Sequence, residues 1–181
     1  MSEVKRRLVD RIIEPSYLEG MTERSVDELR AMRDECADGE NEVSFERRLC
    51  QARIDILSAE LDQRAGTAGD GDLISRLPQI LAEEPRGGGA APLPTRAPDL
   101  SIPRNTDIPR RRVEEIVGEQ TLARLAQVPT DEIRKIIESL AEHERNLSEK
   151  RRRVHEVVDA LQREMVRRYT SGEADPDGLL R

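Results

Sequence analysis

The chain has almost no aromatic side chains: no tryptophan, one phenylalanine and two tyrosines in 181 residues. Apolar residues make up 36% and charged residues 37%. That balance excludes a thick globular core and suits long helices that bury a narrow seam and solvate the rest. No apolar run approaches the roughly 18 residues that mark a bilayer-spanning helix. The opening residues, MSEVKRRLVDRIIEP, lack the apolar stretch of a signal peptide. The two cysteines, Cys36 and Cys50, have no metal-ligand spacing and fall on helical patterns. They are expected to be reduced, buried thiols of a cytoplasmic protein. No basic block stands apart, and the 30 basic and 37 acidic residues are mixed along the chain at a net charge of -7. That argues against direct binding to DNA or to an anionic membrane. A glycine-rich phosphate loop and an activated nucleophile are also missing, so an enzyme is not expected.

What the chain does have is one polar stripe written twice. The first copy is Glu40, Ser44, Arg47, Gln51 and Asp55; the second is Glu144, Ser148, Arg151, His155 and Asp159. Both follow E-x3-S-x2-R-x3-[QH]-x3-D, and those steps keep five side chains on one face of a helix. Beside the stripe runs an apolar seam with alternating steps of four and three, the rhythm of a coiled coil. In the first copy it is Val43, Arg47, Cys50, Ile54, Leu57 and Leu61. In the second it is Ile133, Ile137, Leu140, Glu144, Leu147, Arg151, Val154, Val158, Leu161 and Met165. A shift of 104 residues superposes the two seams.

These patterns predict an all-α protein: an antiparallel two-helix coiled coil with shorter flanking helices and a long linker. N-terminal helices are expected over 1–38, with a capping box at Ser25 and Glu28. Asp38-Gly39 reads as a helix end, so the first motif helix is placed at 39–66. Residues 66–109 hold seven of the ten prolines and six of the eleven glycines. The stretch 67–109 is therefore expected to be a flexible tether, with at most a brief helical turn over 73–81. A short helix follows over 110–127, then the second motif helix over 130–170 and a tail over 171–181. A second apolar strip on the first motif helix, Phe45, Leu49, Ala52 and Ile56, has the polar or small counterparts Glu149, Arg153, Glu156 and Ala160. It is expected to pack under the protein's own helix at 26–36 or, as the alternative, to form a partner surface.

Charged residues beside a coiled-coil seam are ordinarily solvated or form interhelical salt bridges. Arg47 and Arg151 weaken that reading, because an arginine on the seam in both copies stabilises less than an apolar residue there. Arginine offers a planar fork to phosphate oxygens or to guanine O6 and N7. Aspartate accepts two donors side by side, as guanine N1–H and N2–H present them. Together they suit a guanine nucleotide better than a metal ion, which the central arginine would repel.

The doubled pattern resembles the hallmark of the actinobacterial anti-sigma factor family RsiG, E-x3-S-x2-R-x3-Q-x3-D on two helices. The first copy matches at all five positions and the second departs at His155. The resemblance implies a helical pair that binds cyclic di-GMP as an intercalated dimer on the two-motif face. It also implies that the loaded protein sequesters WhiG, a flagellar-type sporulation sigma factor, with no other cofactor. Without a nucleotide, the same pattern would describe a structural coiled-coil adaptor.

Overall fold

A computed structural model describes residues 7–66, Pro78 and residues 111–174. The expected tether at 67–109 and the tail beyond 174 lie outside the described residues, Pro78 excepted. Helices are the regular secondary structure of the described residues, without strands. Helix α1 (Leu8–Ile12) is followed by 3-10 turns at Pro15–Leu18 and Met21–Glu23, then by the long helix α2 (Val26–Arg64). The second half of the chain gives α3 (Arg112–Ile116), α4 (Glu119–Ala123), a 3-10 turn at Leu125–Gln127 and the long helix α5 (Thr130–Ser171). The duplication thus extends beyond the motif. Leu8–Ile12 answers to Arg112–Ile116, Met21–Glu23 to Leu125–Gln127, and Val26 to Thr130, each 104 residues on. The expected single helix over 110–127 is divided instead, because Val117 is extended and Gly118 stands at the N-cap of α4.

The expected helix end at Asp38-Gly39 is a correction: α2 runs through it without a break. Gly39 is there for close approach. A Cβ at this position would lie 2.7 Å from Ile12 Cδ1, so the missing side chain makes room for α1. The start of α2 is as the sequence predicts. Ser25 N–H donates to Glu28 Oε2 at 2.7 Å and Glu28 N–H to Ser25 Oγ at 3.2 Å, a reciprocal capping box. The backbone N–H of Ser25, then its hydroxyl, hold the Glu28 carboxyl below its ordinary value. Helix α5 ends at Gly172, at φ +75°; Glu173 N–H reaches Arg168 O and Gly172 N–H reaches Tyr169 O, the two bonds of a Schellman motif.

The chain forms two compact units, and each long helix contributes to both. The first unit contains α1, the N-terminal half of α2 and the C-terminal half of α5. Val9, Ile12, Leu29, Cys36, Val43, Val154 and Leu161 are its deepest side chains. The second contains the C-terminal half of α2, the segment from α3 to the 3-10 turn, and the N-terminal half of α5. Cys50, Leu57, Val113, Val117, Ile133 and Leu140 are fully enclosed there. Each buried leucine, isoleucine or valine contributes about 1.5–3 kcal/mol. Within both units the long helices run antiparallel. In the first, Arg30 meets Tyr169 while Glu40 meets Arg151; in the second, Arg47 meets Glu144 while Arg64 meets Thr130. Both cysteines are free and buried. Burial, and after it the Glu46 charge, push the Cys50 thiol up to about 12.

Each unit is closed by the same clamp. In the second, Arg64 is held by Glu60 at 2.7 Å and donates to the carbonyls of Val128 and Leu125, at the turn before α5. In the first, Arg168 is held by Glu164 at 2.7 Å and donates to the carbonyls of Met21, Thr22 and Arg24, at the turn before α2. Arg64 and Glu60 stand 104 residues before Arg168 and Glu164.

Candidate functional site

The polar stripes converge, and they do so with exchanged roles. In the first unit Glu40 of α2 faces Arg151 and His155 of α5. Arg151 Nε donates to Glu40 Oε1 at 3.3 Å, and His155 Nε2 lies 2.7 Å from the same oxygen. A carboxylate only accepts, so this contact places a proton on Nε2. In the second unit Glu144 of α5 faces Arg47 and Gln51 of α2. Arg47 Nη1 donates to Glu144 Oε1 at 3.3 Å and Gln51 Nε2 to the same oxygen at 3.4 Å. Each half-site therefore takes its glutamate from one copy of the motif and its arginine and fourth residue from the other.

Seam packing sets this geometry. Val43, Cys50, Leu147 and Val154 are buried, while the stripe positions between them are half-buried, at the edge of the helix pair. Glu40 shows 18% of its side chain and Arg47 28%. Burial pushes the Glu40 carboxyl up, but the hydrogen bonds from His155 and Arg151 outweigh it and hold the group below its ordinary value. Arg47 is incompletely satisfied. Its Nε is buried and has no hydrogen-bond partner among the described residues. A buried donor left so costs about 1–3 kcal/mol. Asp55 and Asp159, the fifth motif positions, are exposed, and Ser44 and Ser148 are half-buried.

The strip of Phe45, Leu49, Ala52 and Ile56 is half-buried. Its expected cover, a helix at 26–36, belongs to the same continuous α2 and cannot fold back on it. The guanidinium of Arg111 instead lies 4.9 Å from the Phe45 ring centre. Next to it, Arg53 donates to the carbonyls of Val113 and Val117 at 2.8 Å, tying α3 to α2. One buried polar contact of this unit has no trace in the repeat. Glu46 is fully buried with His143 Nε2 at 2.9 Å, and their counterparts are Lys150 and Gly39. The clamp residues Glu60, Arg64, Glu164 and Arg168 did leave a signal, because both pairs are identical between the copies.

The RsiG-like family matches the chain over residues 15–81 and 119–181, which is well over half of it. The chain belongs to the RsiG-like family. Both matched segments contain a long helix and its complete motif. Membership supports an anti-sigma-factor role, in a family of regulators and not of enzymes. No curated protein matches the RsiG-like chain in sequence. Among its described residues no helix is long and apolar enough to cross a membrane.

Proposed function

We propose that this RsiG-like protein is an anti-sigma factor gated by cyclic di-GMP, and that the loaded form sequesters a WhiG-like sigma factor of the flagellar and sporulation type. The ligand is bound by Glu40, Ser44, Arg47, Gln51 and Asp55 together with Glu144, Ser148, Arg151, His155 and Asp159. The observation that carries this reading is the role exchange between half-sites, with an arginine incompletely satisfied in one of them. The Arg47 fork keeps donors for phosphate oxygens or guanine O6 and N7, and the exposed carboxylates of Asp55 and Asp159 can accept from guanine N1–H and N2–H. In the free protein Glu40 and Glu144 hold the arginines in place, which lowers the ordering cost of binding. Gating follows if the ligand has a higher affinity for the sigma-bound state than for the free one.

The test is calorimetric titration of the full chain with cyclic di-GMP, with and without the sigma factor. Wild type gives saturable heat, whereas Arg47→Ala and Asp55→Ala lose it with helicity intact. Normal binding by both variants removes the guanine clamp.

A second reading, a ligand-free coiled-coil adaptor, draws on the same contacts. The arginines already meet Glu144 and Glu40, as structural interhelical salt bridges would. It predicts no heat from the wild-type protein under either condition.

A further inference from the structure

Granting the nucleotide reading of the stripe, the two half-sites are alike in four of five positions and differ at the fourth. A glutamine carries no titratable group, whereas histidine is the residue type that can take up a proton near neutral pH. The difference falls on the shared acceptor of the first unit. Glu40 Oε1 takes both the 2.7 Å contact from His155 and the 3.3 Å bond from Arg151. Protonating His155 balances the Glu40 charge at the shorter contact, so Arg151, which Glu40 still positions, meets an incoming phosphate with its own charge less compensated.

Net charge works in the same direction. Glu40, Arg151 and Asp159 sum to one negative charge while His155 is neutral, and to zero once it is protonated. Glu144, Arg47 and Asp55 keep one negative charge beside the neutral Gln51. A cyclic dinucleotide carries a negative charge on each phosphodiester, so the proton removes repulsion from one half-site only. Asp159, one turn on from His155, is the further charge on the same face of α5. On α2 the positions one turn from Glu40 on this side are Cys36, Ala37, Val43 and Ser44, none of them charged at neutral pH. On α1, Arg7 is engaged by Glu42, Arg11 by Glu35 and Asp10 by Lys150. On α5, Arg152 and Glu156 pair with each other.

We propose that His155 makes its half-site proton-coupled: it takes up a proton as the anionic nucleotide binds, and the site holds its ligand more tightly in mildly acidic than in mildly alkaline solution. The half-site of Gln51 binds independently of pH over the same range. His155 is in this sense the residue that makes the duplicated sites inequivalent.

The experiment is titration of the full chain with cyclic di-GMP, sigma factor present, near pH 6 and near pH 8, in buffers of differing ionisation heat. A ligand that raises the histidine's pKa by about one unit gives up to about tenfold tighter binding at the lower pH, with measurable proton uptake. His155→Gln, which gives both half-sites the same motif, abolishes the pH dependence and the uptake. Gln51→His, the converse change, adds to both. An unchanged pH slope in His155→Gln overturns the proposal and moves the coupling to His143 or elsewhere. Tighter wild-type binding at the higher pH overturns it as well. PH-independent binding by the wild type sinks the coupling and leaves nucleotide binding standing. Absence of binding by wild type and both variants at either pH sinks the nucleotide reading, and the coupling with it.

Discussion

Replacing Gly39 with alanine sets two effects of similar size against each other. Alanine in a helix interior is more favourable than glycine by about 1 kcal/mol. The new Cβ, however, would stand 2.7 Å from Ile12 Cδ1, roughly 1 Å inside an ordinary carbon contact. Ile12 is fully buried and cannot swing into solvent, so overpacking of about 1–3 kcal/mol is expected. The other near atoms, Leu8 Cγ and Val9 Cα, lie at 3.9 Å and make no objection. Gly39→Ala is therefore destabilising by about 0–2 kcal/mol in the wild type. Ile12→Val removes the one offending atom at a cost of about 0.5–1.5 kcal/mol by itself. In that background Gly39→Ala becomes stabilising, and the double-mutant cycle shows a favourable coupling of about 1–3 kcal/mol. Urea unfolding followed by circular dichroism at 222 nm measures all four proteins. If Gly39→Ala stabilises the wild type by the full helical gain and the cycle closes near zero, the close approach of α1 is not what the glycine serves.

The clamps yield two further expectations. Hydrogen bonds from Arg167 and Arg168 hold the Glu164 carboxyl at about 2, against an ordinary 4.5. Glu40 is shifted the same way. Carboxyls that titrate lower folded than unfolded contribute stability in full above their unfolded value and lose it as pH falls toward the folded one. Stability should thus decline from about 4.5 down to about 2, and Glu164→Gln should flatten that decline in an acid titration followed by circular dichroism. Arg64→Met removes the donors to Leu125 and Val128 carbonyls; amide exchange across residues 119–129 should accelerate, while α2 before residue 57 exchanges as in the wild type.

Features written within a few residues of one another were readable from the sequence: the capping box at Ser25, the seam steps, and the end of the second motif helix, placed at 170 and found at Ser171. The misread helix end at Gly39 shows where such reading stops. Aspartate-glycine is a local signal of a helix end, and the reason for this glycine is Ile12, 27 residues away. The repeat itself carried the correction, because the counterpart of Gly39 is His143, in mid-helix in α5. In the candidate site, spacing identified which side chains share a face. It could not show that Glu40 turns to the arginine of the other copy, because spacing along one helix contains nothing about register across two. The Glu46–His143 pair was invisible for a further reason. Neither residue repeats, so no comparison of the copies singles it out.

Role exchange also decides how the two sites can diverge. A homodimer of a single-motif chain would show every substitution twice, once at each site. With two copies in one chain, a change at one motif position alters one site and leaves its counterpart intact, as His155 and Gln51 now do. The duplication gives the protein two candidate half-sites with a common architecture and separately adjustable chemistry.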